Sequence, residues 1–179
     1  MQKLSKESLI TQYNQGRRNF QRVDLNQMDL FDLKLPEIDF SYSDLREIYL
    51  PYGDLTNAIL IEAQLEKAQL SNSKLLQINL QGANLRGANL SRSNLRYADL
   101  RGANLTGANL NGADLRWANL TDANLAQANL QRANLKETIL TRAQLQGANC
   151  FRAQAADLQE AYVDGNTINS EGYRMNSQE

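Results

Sequence analysis

Residues 81–135 read QGANL RGANL SRSNL RYADL RGANL TGANL NGADL RWANL TDANL AQANL QRANL. Each of these pentads ends in Leu, and only the pentad containing Ser93 lacks Ala at its third place. The register extends in both directions, because every multiple of five from 20 to 150 is Leu except for Phe20, Phe40 and Cys150. This five-residue repeat decides the fold, since a repeat that holds register over most of a chain indicates a repeat architecture.

A period of five fits neither of the standard secondary structures. On an α-helix a step of five residues turns by about 140°, so the Leu side chains would point to every side. On a flat strand an odd period would send successive Leu side chains to opposite faces. The pattern therefore predicts that each pentad is a short extended piece followed by a bend. In this description Leu is the central residue and points inward together with the residue two before it, while the residue just before Leu points outward.

The two residues after the central Leu are expected to form the corner. Gly occupies the second of them in six pentads, where a bend with positive φ would favour it. Small polar residues before Leu can hydrogen-bond the neighbouring backbone and support the bend. Corners of one hand close a coil, and stacked coils about 4.8 Å apart bury a column of Leu and Ala.

The A(N/D)LXX pattern over residues 20–155 resembles the pentapeptide-repeat proteins, which are widespread in bacteria and especially in cyanobacteria. The resemblance implies an all-β solenoid, a right-handed quadrilateral β-helix with four pentads in each coil. A repeat region of this length would then form about seven coils, a rod on the order of 30 Å long. The coil count and the handedness come from the family, because the period alone predicts only a regular coil.

Three segments are expected. Residues 1–19 hold a short helix, predicted over 3–15 with Ser5 as its cap and Gly16 as its stop, which covers the first coil. Residues 20–155 form the β-helix, whose bulky inward residues before position 50 predict wider or differently bent first coils. Residues 156–179 form a C-terminal cap and tail, because the register slips after Ala155. Val163, Ile168 and Tyr173 are expected to cover the last coil.

Composition excludes most catalytic chemistry. The chain has no His and one Cys, which removes the commonest general base and the usual zinc sites. No phosphate-binding Gly-rich loop or nucleophile motif occurs, and Cys150 is expected to replace a core Leu. We therefore expect no enzyme activity, cofactor or metal. No stretch predicts a signal peptide or a membrane span, so the expected location is the cytoplasm.

Outward residues that break the pattern are the candidate partner-binding surface. One set is aromatic and apolar, and we expect it either to be covered by the N-terminal helix or to bind a partner. A second set pairs two aromatic residues with Arg, which would stabilise the rod by stacking or supply a binding hot spot. The first set is Phe31, Tyr49, Pro51 and Tyr52, and the second is Tyr97, Trp117, Arg96 and Arg116.

The leading hypothesis is a non-catalytic structural or interaction protein, a rigid rod that presents side-chain columns to a protein partner. It would be a monomer or an end-to-end dimer. The first alternative comes from the resemblance, since some family members mimic DNA, bind gyrase and confer quinolone resistance. Residues 20–70 carry four basic and ten acidic side chains, a net charge of −6, which favours that role. Residues 86–152 carry nine basic and four acidic side chains, a net charge of +5, which opposes it.

The second alternative is nucleic-acid binding through basic columns, which the overall net charge of −1 disfavours. The basic columns consist of Arg92, Arg96, Arg116, Arg132, Lys136 and Arg152.

Overall fold

The fold is a solenoid in which each pentad stacks on the pentad twenty residues further along. The computed structural model describes residues 1–155 and 157–175. Parallel β-bridges run from the pair Asn19 and Asp39 to the pair Asn134 and Gln154, always at a spacing of twenty residues. Because each bridge joins residues twenty apart, one coil contains four pentads. The repeat solenoid predicted from the sequence is confirmed.

The core is a continuous column of inward side chains. From residue 20 to residue 150 every central residue is buried, as is the residue two before it in nearly all pentads. Each coil therefore contributes four central residues and four small ones to a narrow interior. Burial of this apolar surface is the main stabilising term, at about 25 cal/mol per Å².

The corners need the left-handed backbone conformation in every pentad and not only where Gly occurs. The second residue after each Leu has a positive φ, for example 58° at Tyr97, 59° at Trp117 and 65° at Gly107. This conformation costs a residue with a side chain about 1–2 kcal/mol. It is retained because the corner N–H bonds the next coil, as when Tyr97 N donates to Arg116 O over 3.0 Å. Gly at these corners is therefore favoured but not required.

The N-terminal segment contains the regular elements. Strand β1 (Gln2–Lys3) pairs in parallel with β2 (Val23–Asp24), and helix α1 (Lys6–Asn14) lies between them in sequence. Helix α1 begins three residues later than predicted, because Ser5 caps it by accepting a hydrogen bond from Ser8 N over 3.1 Å. Residues 2–3 pair with the first coil instead. Leu9 on α1 is fully buried in the core.

The first coils have the same bends as the rest, so of the two expected differences a different bend is excluded. Their corners at Arg22, Gln27, Asp32 and Glu37 have φ values of 57–61°, and their bridges keep the spacing of twenty. The extra volume of the bulky inward side chains is accommodated without a change of bend. Some bulky inward residues are fully buried, while Met28 and Leu33 remain partly exposed at the edge of the core.

The register slips after residue 155. Tyr162 bridges Gln144 at a spacing of eighteen, and Ile168 bridges Asn149 at nineteen. Thr167 is buried and its hydroxyl donates to Leu145 O over 2.9 Å. Met175 and Val163 pack against the core, whereas Tyr173 is 67% exposed and does not cover the last coil as expected.

Gly53 occupies an inward position where most pentads have Ala, and it leads to a prediction that opposes the repeat pattern. A Cβ atom at Gly53 would lie 2.5 Å from Cγ and 2.6 Å from Cδ1 of Leu50, because Leu50 fills the space of the missing methyl group. We expect Gly53→Ala to lower the free energy of unfolding by about 1–3 kcal/mol through this overpacking. Urea denaturation measures the change.

Ser93→Ala is the matched control for Gly53→Ala. Ser93 is also an inward position, and its hydroxyl donates to Leu90 O over 2.7 Å. Losing that bond costs about 1 kcal/mol or less, because Ala is the usual residue there. A gain in stability for Gly53→Ala would show that Leu50 changes rotamer freely, against our expectation.

Candidate interaction surface

Three aromatic side chains of the first two coils form an exposed aromatic patch: Phe31, Tyr49 and Tyr52. They are 51%, 44% and 53% exposed. The Phe31 ring centroid lies 6.2 Å from that of Tyr49 and 6.0 Å from that of Tyr52, with stacked and edge-on geometry respectively. Two tyrosine rings that pack with a common phenylalanine and remain exposed to solvent form a contiguous apolar surface, which in soluble proteins usually marks a contact site.

Pro51 was expected to belong to the exposed set, and that expectation was wrong. Pro51 is buried, and its carbonyl oxygen accepts a hydrogen bond from Asp32 N over 3.0 Å. Pro51 is therefore not part of the exposed surface.

The N-terminal helix does not cover the aromatic patch. Of its apolar residues, Leu9 is buried in the core and Tyr13 packs against the core, with its hydroxyl donating to Pro36 O over 2.9 Å. Helix α1 therefore lies against a neighbouring pentad. Of the two interpretations left open by the sequence, coverage by the helix fails.

Carboxylates border the aromatic patch. Asp29 Oδ1 accepts a hydrogen bond from Phe31 N over 2.9 Å, which holds the bend at that corner. Asp32 pairs with Lys34 across 2.5 Å, although both side chains are more than half exposed. The surroundings of the aromatic patch are therefore acidic, in line with the net charge of −6 over residues 20–70.

The second set forms a stacked aromatic pair, Tyr97 and Trp117, on the next corner of the coil. Their ring centroids are 4.9 Å apart and their planes differ by 7°. The Arg96 guanidinium carbon lies 5.3 Å from the Trp117 ring centroid and that of Arg116 lies 5.6 Å from it. Tyr97 is 48% and Trp117 37% exposed, so the pair both stacks along the rod and presents a surface.

The two arginines beside the stacked pair differ in their bonding. Arg116 Nε and Nη2 donate to the two carboxylate oxygens of Asp114 over 2.8 and 2.6 Å, a bidentate ion pair. Arg96 Nε is buried and has no hydrogen-bond partner within residues 1–155 and 157–175. Arg116 is thus fixed in place, while Arg96 lies over the aromatic rings.

The bidentate bond from Arg116 lowers the pKa of Asp114, and the nearby positive charge of Arg96 adds to the effect. A carboxyl group with a lowered pKa in the folded state stabilises the protein above its unfolded-state pKa. That stabilisation is lost as the pH falls through the folded-state pKa. We expect NMR titration to give Asp114 a pKa below that of an ordinary Asp and Arg116→Gln to raise it. An unchanged pKa in the variant would contradict the role of Arg116.

The aromatic patch and the stacked aromatic pair do not form one surface. The aromatic patch lies where pentads centred on residues 30 and 50 turn towards the next side of the coil. The stacked pair lies one corner further round, where pentads centred on residues 95 and 115 turn, and three coils further along the rod. The sequence-predicted residues therefore form two separate candidate surfaces, of which the aromatic patch is the more apolar.

A shallow groove on another side of the rod was missed by the sequence reasoning. It opens at Gly87 and Gly107, where two stacked corners lack side chains, and charged residues of both signs line it, among them Arg46, Glu66 and Lys67. The spacing of twenty between the two glycines is the signal that could have predicted it. Its mixed charge favours no single ligand.

Two residues of the basic columns make local contacts on the rod. Arg116 is paired with Asp114, and the Cγ atom of Arg92 lies 3.6 Å from where a Cβ of Gly112 would be, so it packs over this corner. Cys150 is fully buried, and this burial raises the pKa of its thiol to about 11. Within residues 1–155 and 157–175, no group of three or more Cys, Asp or Glu side chains is placed to hold a metal ion.

Comparison with known protein families identifies the five-residue repeats. A family model described as pentapeptide repeats, in 8 copies, matches residues 38–77, 73–112 and 113–149. No curated protein matches the chain. In the part of the chain that the structure describes, no helix has the length and hydropathy needed to cross a membrane.

Three solved structures illustrate the similarity. HetL, a pentapeptide repeat protein involved in heterocyst differentiation regulation from the cyanobacterium Nostoc sp. strain PCC 7120, is 27% identical; the match covers 96% of this chain and 100% of HetL, with a TM-score of 0.49. A pentapeptide repeat protein from the cyanobacterium Cyanothece 51142 is 27% identical, over 82% of this chain and 90% of its own, with a TM-score of 0.31. QnrB1, a plasmid-mediated fluoroquinolone resistance protein, is 16% identical, over 83% of this chain and 78% of its own, with a TM-score of 0.39.

Proposed function

The chain belongs to the pentapeptide-repeat family, and from that premise we propose that it is a non-catalytic interaction protein whose rigid rod binds a protein partner. The observation that carries the proposal is the aromatic patch, in which Phe31 packs with both Tyr49 and Tyr52 and all three remain about half exposed. Tyr is among the residues most enriched in binding hot spots. A rod whose coils are fixed by backbone bonds presents such residues with little loss of entropy on binding.

We propose the finer features of the rod from the family resemblance and the described contacts. The coil is right-handed and quadrilateral, about seven coils span residues 20–155, and residues 1–19 cap the first coil. Residues 156–179 form the C-terminal cap, of which Ala156 and residues 176–179 lie outside the described residues. The cytoplasmic location and the choice between a monomer and an end-to-end dimer stay predictions.

A pull-down from native lysate, compared between three forms of the protein, tests the proposed function. The forms are the wild type, a triple variant with Tyr49, Tyr52 and Trp117 replaced by Ala, and a control with Thr106 and Gln127 replaced by Ala on another side of the rod. We expect one protein to be retained in near-stoichiometric amount by the wild type and the control and to be lost with the triple variant. Equal recovery by all three forms would refute binding through these residues.

Gyrase binding is a second candidate, and the acidic charge of residues 20–70 is the observation that favours it. Imitation of DNA would require acidic columns along the rod, yet residues 86–152 carry a net charge of +5. A supercoiling assay with purified gyrase and micromolar protein tests this candidate, and inhibition of supercoiling or protection from a quinolone would support it.

A further inference from the structure

The first coil has an open backbone edge directly below the aromatic patch. Inside the rod each pentad bonds the coil before it: Tyr49 N donates to Met28 O over 2.9 Å, while Tyr49 O accepts from Leu30 N over 2.8 Å. One coil earlier, at the equivalent pentad, the N–H of Asp29 and the carbonyl oxygens of Asp29 and Phe31 have no hydrogen-bond partner within residues 1–155 and 157–175. These three groups form an unpaired strand edge.

The chain itself makes hydrogen bonds on both neighbouring sides of the first coil. On one side Gln2 N and Leu4 N donate to Arg22 O and Asp24 O, each over 3.3 Å, so strand β1 pairs in parallel with that pentad. On the other side the hydroxyl of Tyr13 donates to Pro36 O over 2.9 Å. Within residues 1–155 and 157–175, the N–H and the carbonyl oxygen of Lys34 on that side have no backbone partner. The edge at residues 29–31 therefore lies next to the side that β1 pairs with, and it is open itself. An exposed edge of this kind is a template for an added strand.

Side chains at this edge indicate what would pair with it. An added strand would lie about 4.8 Å from residues 29–31, with alternate side chains pointing outward beside Asp29 and Phe31. The aromatic patch offers aromatic faces, and Asp29 and Asp32 offer carboxylates. The carboxylate of Asp32 is ion-paired with Lys34. Aromatic faces beside carboxylates attract Arg and Lys side chains through cation–π contacts and ion pairs.

We propose that this edge, residues 29–31 together with the aromatic patch, binds an extended basic segment of a partner protein by strand addition. The segment pairs in parallel with residues 29–31, as β1 pairs with Val23–Asp24, and places alternate Arg or Lys side chains over Phe31, Tyr49 and Tyr52. This inference rests on the proposed function and names the class of partner for the aromatic patch. The net charge of −6 over residues 20–70 attracts such a segment and repels an acidic one.

Fluorescence anisotropy with a labelled nine-residue peptide of alternating Arg and Thr tests the proposal on the full chain. Two matched peptides serve as controls: one has Glu in place of Arg, and one has N-methyl groups on the backbone nitrogens that would face the edge. We expect the Arg peptide to bind and both controls to bind at least about tenfold more weakly. Absence of binding by the Arg peptide at millimolar concentration, or equal binding by the N-methylated peptide, would overturn the proposal.

Variants of the protein locate the site. Asp29→Asn combined with Asp32→Asn removes two charges and keeps the bend, because Asn is common at the first position and tolerates the positive φ of the second. Combined with Phe31→Ala, these two substitutions should weaken binding of the Arg peptide about tenfold or more. As the control, Glu62→Gln with Glu66→Gln removes the same charge at another place on the rod. This variant should weaken binding of the Arg peptide less than about threefold, since only screened long-range attraction changes. Equal effects of the two variants would overturn the proposal.

Sedimentation velocity separates this proposal from self-association and from the proposed function. A wild-type dimer that Phe31→Ala dissociates would mean that a second copy of this chain occupies the edge, which overturns the proposal. If the pull-down still loses its partner with the triple variant while the Arg peptide does not bind, the proposed function holds and this inference fails. If the Arg peptide binds at the edge while the pull-down retains no partner, the edge binds basic segments as inferred here and the proposed function fails.

Discussion

Replacing Leu105 with Asp is expected to unfold the rod around its central coils. Leu105 is completely buried, and its N–H donates to Asn124 O over 2.7 Å, so the backbone cannot swing the new side chain outward without breaking the ladder. An unpaired carboxylate in this apolar column costs several kcal/mol, in addition to the lost burial of Leu. Since native domains are stable by only about 5–15 kcal/mol, we expect most of the cooperative transition in thermal circular dichroism to disappear.

Thr106→Ala is the control for Leu105→Asp at the adjacent residue. The Thr106 hydroxyl donates only to Asn104 Oδ1 over 2.6 Å, and the backbone bond from Thr106 N to the same oxygen remains in the variant. We expect the free energy of unfolding to change by about 0.5 kcal/mol or less. Comparable losses for the two variants would contradict the assignment of Leu105 to the inside and of Thr106 to the outside.

The inside and outside of the rod could be predicted because one period imposes the same geometry on every pentad. A Leu that recurs every five residues is compatible with a coil and with neither a helix nor a flat strand. The stacking of Tyr97 on Trp117 likewise requires only a spacing of twenty, which the family resemblance supplied. Features that depend on repetition are therefore accessible from the sequence of this chain.

Features that depend on one local arrangement could not be predicted. Pro51 occupies an outward position in the pentad pattern and is nevertheless buried. The positive φ at Trp117 contradicts the preference of a bulky residue, and it persists because the bond to the next coil outweighs the local strain. The open edge at Asp29 depends on where β1 and helix α1 end, which the pentad pattern does not encode.

The first coils combine bulky inward residues with the candidate interaction surface, so their stability bears on function. Phe20 and Phe40 are central residues one coil apart, both fully buried, with ring centroids 6.1 Å apart and a tilt of 55° between planes. The Arg17 guanidinium carbon lies 4.5 Å from the Phe20 ring centroid and links the segment after helix α1 to this pair. The two rings therefore join the N-terminal segment to the rod.

Phe40→Ala is expected to destabilise the first coils by about 3–5 kcal/mol, because the packed side chains around the lost ring relax only partly into the cavity it leaves. In a solenoid each coil contacts only its neighbours, so the loss should remain near the N-terminal end. Hydrogen exchange measures this directly. The amide of Phe20, which donates to Asp39 O over 2.7 Å, should exchange about a hundredfold or more faster, while the amide of Leu105 should change little. Phe40→Leu restores the usual central residue and should recover most of the protection. Uniform acceleration at both amides in Phe40→Ala would instead show that the rod unfolds as a single cooperative unit.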